Sequence, residues 1–148
     1  MIIEEVQKDL FTVPQGYYLA HCISADFSLG VGISHQFDKV YNMKFKLIQE
    51  RDFFESIGAG KIGSVGTALL IDNVFNLVTK KKYWNMPSYG TLAAALLDMQ
   101  GIMEDKNITK LAIPKNGWEL DRLDWDTVFE IITSVFEETN VEILVCEW

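Results

Sequence analysis

Two stretches of the 148-residue chain hold residues whose types and order can do chemistry. The first is Ser24-Ala25-Asp26-Phe27-Ser28-Leu29-Gly30-Val31-Gly32-Ile33, and the second is Pro114-Lys115-Asn116-Gly117-Trp118-Glu119-Leu120-Asp121. Each follows an apolar run that reads as a β-strand, and each precedes a segment of helical periodicity. A strand, a glycine-bearing turn and a helix N-terminus together make an anion site. Backbone N–H groups point outward there, and the helix dipole favours negative charge. Two such turns at one sheet edge would hold both ends of a nucleotide diphosphate. The plainer reading of Gly30-x-Gly32 is a helix start that packs tightly.

The elements that must position these turns can be taken in order. Met1–Val6 alternates enough for a short strand, and turns follow at Asp9-Leu10-Phe11 and Pro14-Gln15-Gly16. Tyr17–Ser24 is a strand apolar on both faces, as central covered strands are. Helical spacing predicts a helix over Leu29–Tyr41, with Ile33, Phe37 and Val40 on one face, and another over Phe45–Ile57. Gly58–Gly63 is a loop. Thr67–Asp72 and Val74–Lys80 are strands, and Asp72-Asn73 suggests a tight hairpin between them. After a loop to Pro87, Ser88 or Thr91 caps a long helix with Leu92, Leu96, Met99 and Met103 on its apolar face. Lys110–Pro114 is a strand, Asp124 and Asp126 fit the cap and first turn of a helix, and Val141–Cys146 is the last strand.

Strands alternating with helices give an α/β fold: a three-layer α-β-α sandwich with a mixed, mostly parallel central sheet, in one domain over residues 1–148. Ligands of such sheets sit outside the carboxyl ends of the strands. Ser24, Lys80 and Pro114 all close strands, although their sharing of one edge is not readable from the chain.

The composition, 49% hydrophobic and 23% charged, suits a folded domain. A formal charge of −8 argues against stable nucleic-acid binding, because a phosphate backbone needs clustered Lys and Arg. An anionic ligand would depend on local donors. Cys22 and Cys146 lie in apolar runs and read as core thiols rather than a disulfide. His21 reads as a satisfied core histidine and His35 as helix surface. No metal-ligand spacing is present, and neither a metal nor a cofactor is expected. The start Met1-Ile2-Ile3-Glu4-Glu5 does not resemble a signal peptide, and no apolar run nears the roughly 20 residues of a membrane span. The expectation is a cytoplasmic monomer.

Four pieces in register carry a resemblance over nearly the whole chain. They are Ala20-His21-Cys22-Ile23-Ser24, Leu29-Gly30-x-Gly32-Ile33, Leu77-Val78-Thr79-Lys80-Lys81 and Gly117-x-x-Leu120-Asp121-Arg122-Leu123-x-Trp125. Together they resemble a macrodomain, and within that family the terminal ADP-ribose protein glycohydrolase branch. The resemblance implies ADP-ribose, or an ADP-ribosylated macromolecule, as partner. By position, Asp9 and Leu10 would meet the adenine. Ser24, Gly30, Val31, Gly32 and Ile33 would line the diphosphate and proximal ribose. Gly117, Trp118, Glu119 and Leu120 would form the second loop. In this branch a lysine at the Lys80 position attacks the anomeric carbon of the distal ribose, and an aspartate at the Asp121 position helps to resolve the adduct. The implied activity is hydrolysis of ADP-ribose from modified protein carboxylates or related esters. The alternatives are a non-catalytic ADP-ribose-binding module and an ADP-ribose 1″-phosphate phosphatase. The plain readings are a solvated strand-end lysine for Lys80, a loop acid for Asp121 and an Asx-turn for Asp9.

The second loop departs from the family pattern. Where the family writes Pro-Arg-Ile-Gly-Cys-Gly-Leu-Asp, this chain has Asn116 for the isoleucine, Trp118 for the cysteine and Glu119 for the second glycine. Lys8 replaces a usual glycine before Asp9. A glutamate facing a diphosphate would cost about 1 to 4 kcal/mol per charge pair near a surface. A decade of affinity is about 1.4 kcal/mol, so the change is large enough to weaken ADP-ribose binding tenfold. Trp118 either fills the distal ribose space or stacks on the ligand, unless it and Glu119 are neutral changes.

Overall fold

The structure is a computed structural model and describes residues 1–116, 118 and 122–148. Six strands are found among these residues: β1 (Ile2–Gln7), β2 (Tyr18–Ser24), β3 (Thr67–Ile71), β4 (Val74–Lys80), β5 (Lys110–Pro114) and β6 (Glu142–Glu147). They form one sheet in the order β1-β6-β5-β2-β4-β3. Every pairing is parallel except β3 with β4, the hairpin turned at Asp72 and Asn73. The sandwich with a mixed, mostly parallel sheet is therefore as expected, and β2 is central, with β5 on one side and β4 on the other.

Helices α1 (Gly32–Tyr41) and α2 (Met43–Ser56) cover one face, where Phe37, Met43 and Leu47 are fully buried against Leu19, Ile23, Val74 and Val78. Helices α3 (Tyr89–Asp105) and α4 (Trp125–Phe136) cover the other, where Leu92, Met99, Val128 and Phe136 meet Ala20, Phe75, Leu111 and Val145. Among the described residues no helix is long and apolar enough to cross a membrane.

Local chemistry sets the helix starts. Ser88 and Thr91, expected as alternative caps of α3, act together: each side chain accepts from the other's backbone amide. Asp124 caps α4 by accepting from the Thr127 amide at 3.2 Å, and Asp126 lies in its first turn. Asn42 takes the left-handed conformation, with φ 55°, so α1 can stop and α2 begin at Met43, two residues before the expected Phe45. One boundary needs a larger correction. Helix α1 begins at Gly32 rather than Leu29, because Leu29 itself is left-handed, with φ 43°, and belongs to the turn.

Candidate functional site

Because β2 and β4 run parallel, their carboxyl ends come together, and Ser24 is the register partner of Lys80. Strand β5 is parallel to β2, so Pro114 closes at the same edge. A crevice lies there, with about 770 Å³ of space when open solvent is counted. Ser24, Gly30, Val31, Gly32 and Ile33 line it, as do Lys80, Asn116 and Trp118.

The first turn is built to leave amides unspent. Val31 is the N-cap of α1, and it has no side-chain oxygen to cap with. The first residues of the helix therefore line the crevice with no N-cap side chain bonded to their N–H groups, and uncapped helix starts receive anions. Gly32 has φ 62°, a conformation that glycine adopts without penalty. Gly30 is different, since a Cβ there would meet only the Ser28 carbonyl at 4.0 Å. The protein itself does not require a glycine at 30.

The residues between strand and helix are held in place. Phe27 and Leu29 both have positive φ, at 55° and 43°, and both are buried. Such backbone persists only where its surroundings hold it. Asp26 helps to hold it, because its carboxylate accepts hydrogen bonds from the Ser24 hydroxyl and from the Ser28 amide at 3.2 Å. Its other oxygen accepts from the Tyr83 amide at 3.0 Å, in the loop after β4. Burial alone would raise the Asp26 pKa. The Ser24 hydroxyl, the Tyr83 and Ser28 amides and the nearby Lys82 charge outweigh it and hold the carboxyl below its ordinary value. Sequence reasoning gave no role to Asp26, nor to Ser28, Ser34, Thr79 and Tyr83, the last four of which line the crevice. The available signal was an Asp two residues before a serine, the pattern of an Asx-turn.

The second loop is only partly described. Gly117, Glu119, Leu120 and Asp121, four of the expected site residues, lie outside the described residues. Trp118 is 7% exposed and sits in the core 6.3 Å, centroid to centroid, from Trp125. Its indole N–H donates to the Pro114 carbonyl at 2.9 Å. It therefore anchors the loop to the end of β5 and is not an exposed stacking platform. Lys115 pairs with Glu5 at 3.3 Å and Glu147 at 3.6 Å.

Asp9 and Leu10 do not line the crevice. The Asp9 carboxylate accepts from the Phe11 amide at 2.9 Å and starts a 3-10 turn, the local role weighed for it. Leu10 is fully buried against the α1 side of the sheet, so its side chain is spent on the core.

His21 is buried, as expected, but only half satisfied. One ring nitrogen, Nε2, lies 2.6 Å from Asn76 Oδ1, and the ring stacks on Phe37 at 4.0 Å. Nδ1 has no partner among the described residues. The Asn76 amide nitrogen donates to the Leu69 carbonyl at 3.1 Å, so Oδ1 is the acceptor and the imidazole proton sits on Nε2. Burial pulls the His21 pKa down to about 4, against the raising effect of the Asn76 bond. Cys22 and Cys146 are not joined in a disulfide. Cys146 is in the core, and Cys22 is half-buried, packing against the core and lining the crevice. Among the described residues no group of His, Cys, Asp and Glu is arranged to hold a metal ion.

Comparison with known proteins agrees with this architecture. No family model matches the chain. The bovine protein named ADP-ribose glycohydrolase OARD1 is 35% identical over 145 residues, covering 97% of this chain and 90% of the relative. The human protein of the same name is 34% identical over the same length. Among solved structures, the macrodomain of Mycobacterium tuberculosis DarG superposes with a TM-score of 0.81 at 21% identity, covering 99% of this chain and 98% of that one. Thermosipho africanus DarTG in complex with ADP-ribose gives 0.76 at 15% identity, covering 98% of this chain and 41% of that one. With the fold shared at that level, and the mammalian relatives matched almost from end to end, the chain belongs to the macrodomain family.

Proposed function

We propose that this macrodomain is an ADP-ribosyl hydrolase of the glycohydrolase type, releasing ADP-ribose from protein carboxylates or related esters. The observation that carries the reading is the register partnership of Ser24 and Lys80, which brings the uncapped start of α1 and a strand-end amine to one crevice. The names of the bovine and human relatives support the same activity. A structural neighbour solved in complex with ADP-ribose supports ADP-ribose as the ligand.

In this reading the amides of Gly30 to Ile33 receive the diphosphate, as helix starts receive phosphate. The distal ribose lies toward Lys80. The Lys80 amine bonds to the anomeric carbon as the carbon–oxygen bond to the acceptor breaks, and the acceptor leaves as its carboxylate. Asp121 then takes a proton from the water that replaces the lysine. The net reaction adds one water, returning the acceptor acid, free ADP-ribose and unmodified Lys80. The role of Asp121 comes from the family pattern.

The test is to incubate the protein with an ADP-ribosylated acceptor and to measure free ADP-ribose, with calorimetry of ADP-ribose alongside. Release with turnover is expected. Tight binding with no product would instead make the protein a binding module.

A further inference from the structure

We propose that Asp26 is a positioning residue that sets Lys80 against the first turn; this inference rests on the catalytic reading of Lys80 given above. The loop after β4 exposes Lys81, Lys82, Tyr83 and Trp84 and is closed on itself by hydrogen bonds between Lys82 and Asn85. Two hydrogen bonds tie it to the first turn. The Ala25 amide donates to the Lys80 carbonyl at 2.8 Å, and the Tyr83 amide donates to Asp26 Oδ2 at 3.0 Å. The other Asp26 oxygen is held by the Ser24 hydroxyl and the Ser28 amide. One carboxylate thus joins the chain three residues beyond Lys80 to the residues on both of its own sides.

The sheet register fixes Lys80 only up to its own position, where a shift occurs between Ile23 and Ser24. Beyond that irregularity the bond to Asp26 replaces the ladder. Only an ionised carboxylate can accept from all three donors at once, and ionisation is what those donors favour. An asparagine would turn one acceptor into an N–H₂ group facing either the Tyr83 amide or the Ser24 and Ser28 donors.

The amides of Gly30 to Ile33 lie at the start of α1, and the turn leading to them is held by the buried Phe27 and Leu29 side chains as well as by Asp26. Disturbing the junction therefore affects the attack by Lys80 more than the holding of ADP-ribose. Asp26→Asn is expected to lower kcat tenfold or more while the Kd for free ADP-ribose, by calorimetry, changes less than threefold. A merely structural defect would reduce both together. Tyr83→Pro provides a second test from the loop after β4, because it removes the amide that Asp26 accepts from. Tyr83→Ala keeps that amide. The proline variant is expected to lose kcat at least fivefold relative to the alanine variant.

Wild-type kcat in Asp26→Asn, or equal losses in kcat and affinity, would overturn the proposal. If Asp26→Asn does not fold, equal kcat in the proline and alanine variants would overturn it instead. Lys80→Ala is measured in parallel. Its retaining activity would end the catalytic reading itself, whereas its failing while Asp26→Asn is normal would end only the positioning role.

Discussion

The Asn116 side chain and the Trp148 backbone exchange two hydrogen bonds. Asn116 Nδ2 donates to the Trp148 carbonyl at 3.2 Å, and the Trp148 amide donates to Asn116 Oδ1 at 3.2 Å. This residue, an isoleucine in the family pattern, therefore pins the start of the second loop to the strand end beyond β6. Asn116→Ile removes both bonds. The groups are exposed, so the expected cost is about 1 kcal/mol. A lower urea midpoint with an unchanged slope would show it.

Trp118 makes a stronger demand. Returning it to the family's cysteine removes a buried indole and its bond to Pro114. Trp118→Cys is expected to destabilise the fold by about 3 kcal/mol or more, by analogy with other large-to-small core changes. Trp118→Phe keeps most of the packing and should cost about 1 to 2 kcal/mol, with the Pro114 carbonyl losing its donor. Denaturation of the two variants measures the difference. Equal, negligible losses would mean that the indole is not a core residue in solution.

Much of the fold was legible because hydrophobic runs and turn residues announce it. Tyr17–Ser24 is apolar over most of its length because β2 is covered on both faces, and Asp72-Asn73 marks the antiparallel turn between β3 and β4. Positive φ at Leu29 was not legible, because a leucine in the left-handed region looks in sequence like the start of a helix face. The shared edge was not legible either, since strand order comes from packing between segments far apart in the chain. Ser24 and Lys80 are neighbours only through the β2–β4 ladder. The role of Asp26 was not legible for the same reason: one of its three hydrogen-bond donors, the Tyr83 amide, lies in the loop after β4. The burial of Trp118 at the crevice wall was not legible either, because nothing local reveals that the core beside Trp125 has room for an indole.

The two glycines of the first turn should separate stability from binding. Gly32→Ala forces a side chain into φ 62° and should cost about 1 to 2 kcal/mol of stability. Gly30→Ala meets only the Ser28 carbonyl at 4.0 Å and should leave stability within about 0.5 kcal/mol. The same methyl stands on the crevice wall, so ADP-ribose affinity should fall about tenfold, close to 1.4 kcal/mol. Thermal melts and calorimetry on both variants check the contrast.

His21 gives the fold an acid limb. Burial lowers its folded pKa to about 4, below the ordinary 6.5, so the folded state prefers the neutral ring. The associated stability is fully present above pH 6.5 and is lost as the pH falls toward 4, when the unfolded chain takes up the proton first. The total over that window is about 3 kcal/mol. Urea midpoints measured from pH 7 to 4 should decline, and His21→Gln should flatten that decline.

The central claim is that Lys80 breaks the bond to the acceptor while the uncapped start of α1 holds the diphosphate. Single-turnover release from an ADP-ribosylated acceptor by Lys80→Ala, with calorimetry of ADP-ribose on the same sample, tests it most directly. The predicted result is a loss of release of at least 100-fold, about 2.7 kcal/mol in the barrier, with ADP-ribose still bound. Release at the wild-type rate by that variant would contradict the account.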